Sequence, residues 1–352
     1  MSKGHTTIFV DALWGDSCKG KMAAWLSKKQ DYDIAVRAGT GTNAGHSAYI
    51  YEKMIKTNQL PLAGIITNDS GKRMTLAVGS SVCVDPMKLY RELVEYNLFG
   101  RVMVDERCPI ITEEHKKREA EGSNYSESHT GSTKSGTGEA RVDMVRRIAK
   151  RAGDVGLVDG LTGDVAKLLN EAYDNGKKIV VEGAQSHYLS LYLSPEYPVV
   201  TSANCTASAF INDVGLAWNK VDDVCLVIKS APTRVSQNCG DLPGEISLEE
   251  MTKRRIVERG VTTGRVRRKS LIIPFELLDD VFMINSPTYV ALTFCDHVDD
   301  VPTEVPDLVS LDWLCQHMHT TYKNILTIQD KFNVPVKYIE FGKDFNCVRE
   351  VI

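Results

Sequence analysis

The run Thr6 to Val10, rich in β-branched residues, leads within a few positions into Trp14-Gly15-Asp16-Ser17-Cys18-Lys19-Gly20-Lys21-Met22 and then into the apolar-periodic segment AAWLS. A strand, a glycine-bearing loop and a helix start in that order constrain the fold strongly. Unpaired backbone N–H groups and the helix dipole form an anion site there, with the strand as its support. The spelling nearly fits GxxxxGK[ST], but Met22 stands where a Mg²⁺-binding hydroxyl belongs. The acid inside the loop is unusual: beside bound phosphates, Asp16 would take the metal or act as a base.

Five more short apolar runs, 34–36, 179–181, 224–228, 289–293 and 336–339, alternate with longer helical or irregular stretches. This predicts an α/β fold, with a central, mostly parallel sheet flanked by helices and a P-loop-like phosphate loop after the first strand. Without internal repeats or a convincing linker, residues 1–352 read as a single domain. Leu311, Leu314, Met318, Tyr322, Ile325 and Ile328 recur at steps of three and four, which predicts one C-terminal helix capped by Ser310.

Composition excludes several classes. With 42 Lys+Arg against 46 Asp+Glu the net charge is -4, so no basic field exists to hold nucleic acid by counterion release. No run approaches the roughly 18 apolar residues of a membrane span, and the N-terminus lacks a signal-peptide layout. The expectation is a cytoplasmic protein with neither nucleic acid nor membrane as partner. Nine cysteines without a CxxC pair argue against disulfides or a zinc cluster. His317 and His319, two apart in a helical stretch, fall on different faces and read poorly as metal ligands.

The second predicted strand runs into Arg37-Ala38-Gly39-Thr40-Gly41-Thr42-Asn43-Ala44-Gly45-His46-Ser47, a small-residue loop in which His46 is a candidate general acid. From Glu121 to Gly138 the chain is Ser/Thr/Gly-rich and reads as a loop, either idle or ordered by ligand. Asn219-Lys220-Val221-Asp222 spells a guanine-reading box, yet it follows a helix-like segment and precedes a strand; a solvated helix end is the better reading.

Taken together, GDSCKGK, NAGH, VEGAQ with VVTSANCTA, and VTTGRVRR resemble the adenylosuccinate synthetase family, in register from about Thr7 to Asp344. The resemblance implies a ligase that phosphorylates a purine 6-oxo group and replaces it with the amine of L-aspartate. It implies Asp16 as base and Mg²⁺ ligand, His46 as acid, and Lys19 beside the transferring phosphoryl group. The Gly45 carbonyl would also face Mg²⁺. Purine monophosphate contacts carry over to Asp16, Ser17, Asn43, Thr133, Arg147, Gln185, Thr201 and Arg265, with Arg147 given across the interface of a homodimer. Triphosphate contacts carry over to Gly15, Ser17, Cys18, Lys19, Gly20, Lys21, Gly45, His46, Ser47, Arg267, Asp296 and Gly342. L-Aspartate would sit on Val261, Thr262, Thr263, Gly264, Arg265 and Arg267, whose guanidinium groups suit two carboxylates. Mobile substrate loops are expected near 121–138 and 261–268.

Several positions depart from the family pattern. Ser17 and Cys18 replace Glu and Gly, Ser135 replaces an aspartate-holding arginine near Lys134, and Lys269-Ser270-Leu271 ends the arginine-rich motif early. Phe294-Cys295-Asp296 and Glu340-Phe341-Gly342-Lys343 alter the base-reading segments. The compact length resembles archaeal and bacteriophage branches. Space beside Ser17 suits a 2-amino purine, so the expectation is the bacteriophage 2-aminoadenylosuccinate synthetase branch in the host cytoplasm, joining dGMP to L-aspartate with ATP or dATP, or GTP, for 2-aminoadenine DNA precursors. A compact enzyme using IMP and GTP, and an idle nucleotide-binding protein, are the alternatives.

Overall fold

The computed structural model describes residues 3–50, 52–125, 130–157, 160–235, 240–260 and 264–352. All six apolar runs form strands of one sheet, where both faces are covered and near-continuous hydrophobic runs are required. In spatial order the sheet is Leu308–Val309, Val348–Val351, Val336–Glu340, Tyr289–Thr293, Asp223–Lys229, His5–Asp11, Lys178–Gly183, Ile34–Ala38, Thr75–Val78, Val102–Asp105 and Thr162–Gly163. Every pairing is parallel except Val336–Glu340 with Val348–Val351. Phe9 lies beside both Glu182 and Cys225, which brings the first strand's exit level with those of its neighbours. Two apolar clusters cover the central strands, one including Ile8, Val181 and Phe210, the other Phe9, Val180 and Met22. This is the predicted α/β class.

The expected single C-terminal helix is two, Leu311–His317 and His319–Phe332. Ser310 caps the first, accepting from the Trp313 N–H. The break has a tertiary cause: the Asp299 carboxylate accepts the N–H groups of Thr320 and Thr321 at 2.9 and 2.7 Å, founding a second helix start. The helix expected ahead of Asn219 also ends early, at Val214, with Gly215 left-handed behind it. The box itself lies on the short 3₁₀ turn Trp218–Lys220 and beyond; Lys220 pairs with Asp174, and Asp222 holds Lys3 and the Thr6 N–H at the strand-entry edge. Among the described residues no helix is long and apolar enough to cross a membrane.

Candidate active site

The loops after the central strands meet above their C-terminal ends, where open parallel sheets bind ligands. They enclose a cavity of about 540 Å³ lined by Gly15 to Gly20, Asn43 to Ser47, Gly131 to Thr133, Gln185, Thr201 and Arg267. The phosphate loop is held in left-handed backbone at Gly15, Asp16 and Cys18 (φ 91°, 53° and 66°). Two of these are not glycine, the kind of local strain that functional turns store. Thr293 donates to the Ser17 carbonyl at 3.0 Å, pinning the loop to a strand end. The helix Lys19–Lys29 starts with Gly20 pressed against His46: a Cβ there would lie 2.6 Å from the His46 Cβ, so only glycine lets the two loops approach.

His46 is buried between Arg37 and Glu182, which are fully buried themselves. Its Nδ1 contacts the Glu182 carboxylate, and Arg37 Nη1 reaches Glu182 at 3.2 Å. Glu182 also accepts the N–H groups of Leu62 and Ala63, each at 3.1 Å. Burial, then the Arg37 cation, push the imidazole down to about 3, against the pull of Glu182. Burial alone would raise Glu182, but His46 and Arg37 outweigh it and hold the carboxylate below its ordinary range.

Asp16 faces the cavity and forms an ion pair with Arg267, a nine-tenths buried residue. Lys19 also lines the cavity, with Nζ 3.7 Å from Asp11. Ser17 is 1% exposed, and its hydroxyl is buried without a hydrogen-bond partner among the described residues. Asn43 donates to Thr201 at 3.2 Å and accepts from Thr40 at 2.7 Å, so two predicted contacts from distant segments do meet. Thr133 donates to Ser135, itself bonded to Thr137; Lys134 is exposed outside the cavity.

Other expected positions stand apart. Lys21 is 1% exposed and turned from the cavity lining: its Nζ donates to Glu340 at 2.7 Å and to the Gly342 carbonyl at 2.8 Å. The side chain at the second lysine of the loop is thereby committed to a buried ion pair. Arg147 is exposed at the end of the helix Thr137–Arg146, and Gly264, Arg265 and Asp296 lie outside the lining. Asp296 has a buried Oδ1 without a hydrogen-bond partner, and burial, then Glu340, push its carboxyl up to about 6. Val261, Thr262 and Thr263 lie outside the described residues. Arg37, Glu182 and Glu258 escaped the sequence reading as site residues; a charge at the end of an otherwise apolar strand, as in IAVRA and IVVEG, was the available signal for the first two.

For Mg²⁺, the donor set fits: one carboxylate at Asp16 and one carbonyl at Gly45 border the same cavity, leaving the remaining positions to phosphate oxygens and water, as this ion prefers. No cluster of three His, Cys, Asp or Glu side chains occurs among the described residues.

Fold and site together define an α/β enzyme of phosphoryl-transfer type, with an anion loop, an acid and an imidazole sharing one cavity. A family model described as adenylosuccinate synthetase matches residues 8–161 and 156–306. The adenylosuccinate synthetase of Thermococcus onnurineus is 38% identical over 344 residues, covering 97% of each chain. That of Methanocaldococcus jannaschii is 38% identical over 343 residues, 97% of this chain and 95% of its own. Two solved structures share the fold: fully ligated adenylosuccinate synthetase from Plasmodium falciparum (TM-score 0.85, 21% identity, 99% of this chain and 100% of that one), and cyanophage S-2L succinoaminodeoxyadenylate synthetase, PurZ, bound to dGMP and dATP (TM-score 0.80, 20% identity, 99% and 95%). The chain belongs to the adenylosuccinate synthetase family, whose members are purine nucleotide:L-aspartate ligases.

Proposed function

We propose that the chain joins dGMP to L-aspartate, using ATP or dATP with Mg²⁺, and forms N6-succino-2-amino-2′-deoxyadenylate, nucleoside diphosphate and phosphate. The observation that carries the ligase chemistry is the convergence of Asp16, Lys19 and His46 on one cavity. Asp16, once released by Arg267, removes the purine N1 proton while the 6-oxygen attacks the γ-phosphorus and the nucleoside diphosphate leaves. Lys19 and the loop N–H groups offset charge on the transferring phosphoryl group. The L-aspartate amine then attacks C6 and inorganic phosphate departs. Mg²⁺ held by Asp16 and the Gly45 carbonyl would supply further charge neutralisation. Glu182 orients the His46 ring that steadies the 6-phosphoryl group.

For the acceptor, the small, buried Ser17 supports dGMP, because the loop then projects no large side chain beside Asp16 and leaves space for a 2-amino group. The fold neighbour PurZ binds dGMP and dATP. The identity to archaeal adenylosuccinate synthetases favours a second reading, with IMP as acceptor and GTP as donor. Exposed Arg147, beside Val145 and Ile148 at 81% and 66% exposure, supports a homodimer that shares this arginine between sites.

The protein incubated with Mg²⁺, L-aspartate and ATP or GTP, and offered IMP, GMP or dGMP separately, is expected to yield the succinylated product from dGMP. Turnover of IMP alone would overturn the dGMP reading, and no product from any nucleotide would overturn the ligase. Asp16→Asn is expected to abolish product while leaving monophosphate binding largely intact.

A further inference from the structure

The helix Glu113–Glu121 turns two polar side chains inward, His115 and Glu119, one turn apart, and buries no apolar residue of its own. An acid at such a position is not core filling. Glu119 is 4% exposed, lines the cavity and takes no part in the chemistry above. Its carboxylate accepts the Gly138 N–H at 3.1 Å through one oxygen and the Gly136 N–H through the other.

These two N–H groups need an outside acceptor. They open the helix Thr137–Arg146, whose N-cap is Gly136, a residue without a capping side chain. Glycine is required there: φ is 79°, and a Cβ would lie 2.9 Å from the Ile111 side chain and 3.0 Å from the Lys116 backbone nitrogen. Glu119 supplies the cap from the neighbouring helix, where its charge also suits the dipole. Asp143, near the other end of the capped helix, accepts in return from Arg118 at 3.1 and 2.8 Å and lies 3.0 Å from His115 Nε2. The two helices are thus tied at both ends, one carboxylate in each direction.

The tie holds the turn 131–136, which leads from the cavity wall into the helix. Its backbone is left-handed at Gly131 and at Lys134 (φ 64° and 56°), the second an uncommon conformation for a residue with a Cβ. Within it Thr133 donates to Ser135 at 3.1 Å, and Ser135 lies 2.9 Å from the hydroxyl of Thr137, between the two anchored glycines. Three hydroxyls therefore run from the Glu119 anchor to Thr133 at the cavity.

We propose that Glu119 is a positioning residue for the purine monophosphate, fixing Thr133 at the cavity wall through the N–H groups of Gly136 and Gly138. The inference rests on the ligase reading above and on Thr133 as a monophosphate contact within it.

The test is the Kd of dGMP and of IMP by calorimetry, with KM and kcat from product formation, in native, Glu119→Gln and Glu119→Asp proteins. Glutamine keeps the size but offers one acceptor oxygen, and its amide nitrogen would meet the other N–H donor against donor. On the scale of one hydrogen bond to a charged group, Glu119→Gln is expected to raise the monophosphate Kd and KM about tenfold, and Glu119→Asp, with both oxygens but a shorter reach, about threefold. The contact is equal in ground and transition states, so kcat at saturating monophosphate and the triphosphate KM should change by less than about twofold. A cap that only stabilised the fold would not produce this split. A folded Glu119→Gln protein with an unchanged or lower monophosphate Kd, or with the KM of all three substrates raised alike, overturns the proposal. If that variant does not fold, Glu119→Asp decides: a raised monophosphate Kd with an unmoved triphosphate KM supports the proposal, and an unchanged Kd overturns it. Product from the native protein beside an unchanged Kd in the variants overturns this inference alone; absence of product with every nucleotide overturns the ligase reading beneath it.

Discussion

Lys21→Met distinguishes a phosphate-binding lysine from a structural one. Lys21 and Glu340 are 1% and 2% exposed at their side chains and meet at 2.7 Å. Removing the ammonium group leaves the Glu340 charge buried against the Phe294 N–H, at 2.8 Å. Breaking one side of such a pair costs about 3–5 kcal/mol, since the remaining ion keeps its desolvation penalty and loses its partner. With an unfolding entropy of about 2.1 cal/mol/K per residue over 352 residues, that is a fall in Tm of roughly 4–7 °C. Lys21→Met/Glu340→Gln should recover most of the loss, because glutamine still accepts from Phe294 and carries no charge. Thermal unfolding followed by circular dichroism gives the stabilities, and product formation at varied triphosphate gives KM and kcat. A Tm change under 1 °C in the single variant would refute the buried-pair account. A double variant that regains stability yet loses a hundredfold in kcat/KM for the triphosphate would return Lys21 to the phosphates.

Two further outcomes follow from the buried charges. Glu182→Gln should lower kcat roughly a hundredfold with little change in monophosphate KM, the scale of a lost acid–base contribution, since the His46 ring loses its anchor; an unchanged kcat in folded protein would remove Glu182 from that role. His297 is pushed down to about 3, by burial first and then by Lys269, from an ordinary 6.5. The unfolded chain therefore binds the extra proton first: stability is fully present above 6.5 and is lost as pH falls toward 3. By pH 5 this loss amounts to about 2 kcal/mol. Asp213 and Asp296, each raised to about 6 chiefly by burial, act with the opposite sign between about 4 and 6. The difference between native and His297→Asn curves isolates the histidine, and parallel stability profiles from pH 7.5 to 5 would refute its buried neutral state.

The central strands were legible because a strand covered on both faces must be apolar throughout, and such runs stand out in any sequence. The edge strands Leu308–Val309 and Thr162–Gly163 were not, since two residues carry no periodicity. The C-terminal helix break was invisible for another reason: apolar steps of three and four continue across Met318, and its cause is Asp299, 21 residues before the Thr320 N–H it accepts. The same division runs through the site. Asp16, Lys19 and His46 sit in or at the ends of two short loops whose residue types already state their chemistry. The group that orients His46 comes from afar, Glu182 lying 136 residues away, so only the fold could pair the two.

Glu340 shows how separate departures from the family pattern become one. In the sequence, Phe294-Cys295-Asp296 and Glu340-Phe341-Gly342-Lys343 read as independent changes in the base-reading segments, and Lys21 as an ordinary phosphate-loop lysine. In the fold one carboxylate joins all three, accepting the Phe294 N–H through one oxygen and Lys21 through the other, while Lys21 reaches on to the Gly342 carbonyl. The phosphate-loop helix, the Phe294 turn and the last loop are thereby fixed to one another. Restoring the 340–343 segment alone to the family spelling would leave the buried Lys21 ammonium group without its carboxylate, whereas residue 294 takes part through a backbone N–H that most residues supply. A change at position 340 in this chain is therefore expected to be tolerated only with a matching change at position 21.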